Sequence, residues 1–193
     1  SYYLCVKVIN MSHDESPSPY EMWAESEDCR YDLDTGLYLA GKEAHPDGLE
    51  LRKYATSWVS LLRGLIQGGH GNILVKLLKE RRENKGKACE LCVSENNCDM
   101  LIFILAYVDP GELYPALVKA AHANNTEALT ILLDQGVRPT PDLGRDLARN
   151  GRLESLKVLI EYECFIKSTR RTMIREAQRH DRHDVVVYLT NLL

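Results

Sequence analysis

Five stretches of this chain repeat one pattern at nearly constant spacing, and that self-similarity limits the fold more than any bulk property does. The stretches are residues 65–78, 92–105, 120–133, 147–160 and 177–190, and they align without gaps. Each runs from small or apolar residues through a polar break into a dense apolar stripe. The central polar residue falls at Asn72, Asp99, Glu127, Glu154 and Asp184, at intervals of 27, 28, 27 and 30 residues.

Apolar residues recur at three- and four-residue spacing on both sides of each break, which predicts a helix, a tight turn and a second helix. The turn position holds Gly69, Asn96, Asn124, Gly151 and Asp181. Gly, Asn and Asp tolerate the left-handed conformation and so end a helix at little cost. The acidic or amide residue that follows sits in the first turn of the second helix, where it suits the macrodipole. One helix pair cannot bury its stripe alone. Stacked pairs can, so a solenoid with a continuous core is expected.

The run Ala120-Ala121-x-x-Asn124-Asn125-Thr126-Glu127-Ala128-Leu129-x-Ile131-Leu132-Leu133-x-x-Gly136 resembles the ankyrin repeat. So does Leu147-Ala148-x-x-Gly151-x-Leu153-Glu154-x-Leu156-Lys157-x-Leu159-Ile160, and the first stretch keeps Gly69-His70. The resemblance covers about residues 51–193. It departs from the family in lacking the Thr-Pro-Leu-His tetrapeptide and in its short period, which implies β-hairpin fingers cut to short loops. A short period behind an irregular N-terminal module is similar to the giant-virus (mimivirus-like) ankyrin repeat proteins, as are Val8-Ile9-Asn10 and Gly36-Leu37-Tyr38. That likeness implies a role in host interaction.

The first 50 residues differ in character. They hold 11 Asp/Glu and 3 Lys/Arg, whereas residues 51–193 hold 17 and 21, within a net charge of −4. Such a split suggests two units with different surfaces. Tyr2 to Ile9 reads as a strand, and Met11 to Arg30, with Pro17 and Pro19, as loop pinned by Tyr20 and Trp23. Gly36-Leu37-Tyr38-Leu39-Ala40 reads as a second short strand, and His45-Pro46-Asp47-Gly48 as a turn.

The six cysteines, Cys5, Cys29, Cys89, Cys92, Cys98 and Cys164, are expected to be free thiols. No apolar run reaches the length of about 18 residues that spans a bilayer. The opening Tyr2–Val6 stretch lacks the flanks of a signal peptide. An intracellular location, cytoplasmic or nuclear, is therefore expected, and in the host cell if the chain is viral.

Four chemistries compete for the polar residues. Cys89-Glu-Leu-Cys92 with Cys98 has zinc-like spacing. The repeat register instead aligns Cys92 with Ala120 and Cys89 with Leu117 and Ile174, so core packing is the reading and no metal or cofactor is expected. Lys167, Arg170, Arg171, Arg175, Arg179, His180, Arg182 and His183 form a basic run that could meet phosphates. Glu176, Asp181 and Asp184 interrupt it, aromatics are scarce, and a solvated helix face is the commoner explanation. His13, Cys29 and His45 lie among carboxylates in the N-terminal module, yet no phosphate loop, nucleophile elbow or zinc-protease signature accompanies them. The chain is therefore read as a non-enzyme, with an enzyme centred on that module as the weaker alternative.

The fourth reading is a concave binding face. In the ankyrin family, partners commonly meet residues just before the turn and at the start of the first helix. Carried over unit by unit, the resemblance implies Gln67, Ser94, Glu95, His122, Arg149, Asn150, Arg179 and His180 before the turns. At the helix starts it implies Tyr114 and Arg171. An ordinary wet surface explains such residues equally well.

The fold expected is mainly α: an ankyrin-type helical-repeat solenoid of about five helix pairs behind a small irregular or β-containing N-terminal cap. The acidic cap module occupies 1–50 and the repeats 51–193, with units near 54–80, 84–107, 113–136, 140–163 and 167–193. The function expected is a protein–protein interaction module or adaptor whose partner is another protein with an acidic patch. Nucleic-acid binding through the basic run is the alternative, and no membrane partner is expected.

Overall fold

The computed structural model describes residues 37–44, 58–80 and 85–192. The expected strand at Tyr2–Ile9, the Met11–Arg30 loop, the His45–Gly48 turn and the residues His13, Cys29 and His45 lie outside them. Two compact units divide the chain, Ser1–Leu91 and Cys92–Leu193. The described residues are mainly helical, with no strand among them. None of their helices is long and apolar enough to cross a membrane.

In the first unit, α1 covers residues 37–43, followed by α2 (Val59–Gln67) and α3 (Gly71–Glu80). The helix α4 (Lys85–Ser94) begins there. α1 corrects the strand expected at Gly36–Ala40, of which Leu37–Ala40 are described and helical. The physical reason is the buried triplet Leu37, Ala40 and Gly41, which has helical and not alternating spacing. Gly41 is a point of close contact. A Cβ on Gly41 would lie 2.5 Å from the Leu61 carbonyl oxygen, and one on Gly64 would overlap the Tyr38 carbonyl oxygen. Two glycines thus let the backbones of α1 and α2 touch.

The second unit holds α5 (Cys98–Leu105), α6 (Tyr114–Ala123), α7 (Thr126–Asp134), α8 (Pro141–Arg149), α9 (Leu153–Glu161), α10 (Lys167–Arg179) and α11 (His183–Thr190). A 3-10 turn at Pro110–Glu112 precedes α6. The helices pair as the spacing predicts, α6 with α7, α8 with α9 and α10 with α11. Like helices also neighbour like: α6 meets α8 and α8 meets α10, while α5 meets α7 and α7 meets α9. The fully buried Ala120, Ala121, Ala148 and Ala177 keep the first helices slim, and Leu117, Leu129, Leu132, Leu156, Leu159 and Leu189 fill the space between layers. Each such leucine contributes about 1.5–3 kcal/mol of burial.

All five turn residues named from the sequence are left-handed. Their φ values are 74° at Gly69, 51° at Asn96, 54° at Asn124, 69° at Gly151 and 56° at Asp181. Each turn closes with the same two hydrogen bonds. At Asn124, its own N–H donates to the Ala121 carbonyl at 3.3 Å, and that of Asn125 donates to Ala120 at 3.0 Å. The equivalent longer bonds run from His70 to Leu65, Asn97 to Cys92, Arg152 to Leu147 and Arg182 to Ala177. These are Schellman closures, which satisfy the last carbonyls of each first helix. Asn97 and Asn125 then cap the second helices, each side-chain oxygen accepting at 3.0 Å from Met100 N and Ala128 N.

Candidate protein-binding surface

The first helices of the second unit carry a row of polar and charged side chains, one helix to the next. Small buried residues hold α6, α8 and α10 side by side, so the last turn of each presents its polar residues along one edge. His122 Nε2 on α6 lies 3.3 Å from Asp146 Oδ2 on α8. Asp146 Oδ1 lies 4.0 Å from Arg149 Nη1 on the same helix. Arg149 Nη2 donates to Glu176 Oε2 on α10 at 3.3 Å, and Arg179 Nη1 donates to Glu176 Oε1 at 3.0 Å. The row thus runs from His122 through Asp146, Arg149, Glu176 and Arg179, the last four alternating in sign, across three helices.

Three residues named from the sequence, His122, Arg149 and Arg179, come together in this row. Two others in it, Asp146 and Glu176, were missed. Their signal was present: each sits three residues before an arginine, a spacing at which helix side chains pair. Arg149 and Arg179 are consequently not open cations, since both bind Glu176, whose side chain is only 16% exposed.

The remaining named residues are placed differently. Tyr114 is half-buried, and its hydroxyl lies 2.9 Å from Thr140 Oγ1, the N-cap of α8. It ties neighbouring helix starts together. Asn150 is exposed and donates from Nδ2 to the Asp146 carbonyl at 2.9 Å. Ser94 and His180 are exposed at helix ends, and Glu95 is half-buried beyond α4. Gln67, at the end of α2 in the first unit, accepts from the Tyr38 hydroxyl. Arg171 is exposed on α10, and no ion pair or side-chain hydrogen bond among the described residues reaches it.

The turns form a second polar edge. Asn125 Nδ2 donates to Asn96 Oδ1 at 2.9 Å, and Arg182 Nε donates to the Arg149 carbonyl at 3.0 Å. A groove of about 320 Å³ there is lined by Asn150, Gly151, Asp181, Arg182, His183 and Asp184, among others. Leu153 and Val185 supply the apolar part of its lining.

The described thiols are free. Cys89 and Cys92 are completely buried, matching the core positions to which the register assigns them. Burial pushes the Cys98 thiol above its ordinary pKa, and Glu127 and Asp99 add to the shift. Burial also raises Cys164, against a smaller opposing effect of Arg138. Both shifts disfavour the nucleophilic thiolate. No group of three or more His, Cys, Asp or Glu among the described residues is arranged to hold a metal ion.

Comparison with protein-family models, with curated proteins and with solved structures finds no match to this chain. The site must be read from its own chemistry. It offers donors and acceptors of both signs in a fixed row, held by backbone that successive helices position.

Proposed function

We propose that the chain is a short-period ankyrin-like solenoid, its N-terminal module serving as a cap, that works as a protein–protein interaction module or adaptor inside a cell. The observation that carries this reading is the row His122–Asp146–Arg149–Glu176–Arg179, in which His122, Arg149 and Arg179 occupy the same position of successive helix pairs. A surface assembled by repetition reads an extended partner better than it cradles a small substrate. The left-handed turns at Asn96, Asn124, Gly151 and Asp181 and the helix adjacency of the second unit support the repeat assignment. The resemblance to giant-virus ankyrin proteins extends the reading to a role in host interaction.

Ion pairs at this exposure contribute up to about 1 kcal/mol each, so the row gives specificity more than affinity. A photo-crosslinking amino acid placed at His122 or at Arg179, in the cell of origin, tests the reading. The same protein should be captured from both positions and not from Lys157, which pairs with Glu154 on a second helix. Equal capture from all three positions, or none from the row, overturns it.

A further inference from the structure

The turn between α8 and α9 differs chemically from the other repeat turns. It places an asparagine directly before a glycine, and Asn150-Gly151 is the one Asn-Gly pair in the sequence. This dipeptide cyclises readily, because glycine has no Cβ to shield its nitrogen from the asparagine side chain. The asparagines of the other turns precede Asn97, Cys98, Asn125 and Thr126, whose side chains hinder that approach.

Several contacts keep the pair apart while the turn is closed. Asn150 Nδ2 donates to the Asp146 carbonyl at 2.9 Å, and the Gly151 N–H donates to the Ala148 carbonyl at 3.3 Å. Asn150 has a ψ of 0°, which turns the Gly151 nitrogen away from its own Cγ. Arg182, from the next helix pair, lies over the turn. Its Nε donates to the Arg149 carbonyl at 3.0 Å, and a Cβ on Gly151 would lie 3.0 Å from its Cδ. Asn150 and Arg182 are both exposed, so water reaches the turn as soon as it opens.

We propose that Asn150 and Gly151 form a self-modifying site, with Arg182 holding its rate down. In the opened turn the Gly151 nitrogen attacks Asn150 Cγ and gives up its proton to water. The Cγ–Nδ2 bond breaks and ammonia leaves, which closes a succinimide. Water then adds to one of the two ring carbonyls and opens the ring, to aspartate or to isoaspartate. Water is the only co-reactant. The proposal is independent of the binding-module reading, although its product alters the same edge of the molecule. A carboxylate cannot donate to the Asp146 carbonyl as Asn150 does. Isoaspartate also puts an extra methylene into the backbone, which the two closing hydrogen bonds of the turn do not accommodate. The new charge falls in the groove that Arg182 lines.

The test is peptide mapping by mass spectrometry on the full chain, aged at mildly alkaline pH with and without urea. The peptide holding Asn150 should gain the mass of deamidation, with isoaspartate in excess of aspartate, while Asn96 and Asn124 stay intact. Urea should raise the rate about ten-fold, since reaction waits on opening of the turn. Arg182→Ala, aged without urea, should react about three-fold or more faster than the parent. Leu189→Ala separates this local effect from general loss of stability. It truncates a fully buried residue of α11 outside the turn, and its rate should stay below that of Arg182→Ala. No reaction at Asn150 in urea, or equal reaction at Asn96 and Asn124, overturns the site. Equal rates with and without urea, an unchanged rate in Arg182→Ala, or equal acceleration in Leu189→Ala overturns the part given to Arg182.

Discussion

Ser155 Oγ donates to the Ala121 carbonyl at 2.7 Å and also lies 3.0 Å from Asn124 Oδ1, joining α9 to the end of α6. Ser155 is completely buried, and the same register position elsewhere holds the buried apolar residues Met100, Ala128 and Val185. Asn124 therefore does two things, closing its own turn at positive φ and accepting from the next helix pair. Ser155→Ala should cost about 1–2 kcal/mol, since it leaves a buried acceptor short of a donor. Asn124→Gly keeps the backbone conformation and removes only the acceptor. Urea unfolding of both single variants and the double variant should give a coupling energy of about 0.5–2 kcal/mol. Additive effects would show that the bond has no bearing on stability.

Ala44 and Gly41 predict opposite signs for exchanges three residues apart. Ala44 has φ of 53° with no special side chain to favour it, a conformation costing about 1–2 kcal/mol for alanine. Ala44→Gly should raise stability by up to about 1 kcal/mol, the gain being trimmed by the greater freedom of glycine in the unfolded chain. Gly41→Ala should lower it by at least about 1–3 kcal/mol, because the new Cβ meets the Leu61 carbonyl. Thermal unfolding measures both. A shift of the same sign for the two would refute the helical packing of α1 on α2.

Ala44 also shows where the sequence was hard to read. It follows the small buried pair Ala40-Gly41 as Asn124 follows Ala120-Ala121, and its N–H donates to the Gly41 carbonyl at 3.3 Å. Gly, Asn and Asp mark a left-handed turn in sequence, and alanine carries no such mark. The five turns at Gly69 to Asp181 were legible because local sterics alone select their residues. The ion-pair row was only half legible. His122, Arg149 and Arg179 follow from register, but which carboxylate lies opposite depends on how α8 and α10 pack. Tyr114 illustrates the same limit: its place at a helix start was readable, and its bond to Thr140 was not.

The thiols should react in a fixed order. Cys89 and Cys92 have no exposure, so they should be alkylated only on unfolding. Cys98 and Cys164 are partly exposed, but both thiols are held above the ordinary pKa, by burial first. Their iodoacetamide rates at pH 7.5 should be below that of a free peptide thiol, taken at a pKa of about 8.5, and should climb as pH rises past that value. Glu127→Gln removes the second cause acting on Cys98 and should speed Cys98 alone. Mass spectrometry of the separate peptides reads each site. Acceleration of Cys164 in that variant would mean that Glu127 acts through the fold and not through its charge.

Glu176 should respond asymmetrically to losing its own charge and to losing its partners. Glu176→Gln leaves Arg149 and Arg179 to water, in which their side chains are already 49% and 71% exposed. The cost is then about 1 kcal/mol or less, as for other exposed pairs. Arg149→Ala with Arg179→Ala does the reverse, stranding a carboxylate that has little solvent of its own. That loss should reach about 2–3 kcal/mol, toward the range for an uncompensated buried charge. Adding Glu176→Gln to the double arginine variant should then recover part of the loss. Urea unfolding at low salt measures all three variants. If the triple variant is no more stable than the double, Glu176 is solvated in solution and the row does not act as a linked unit.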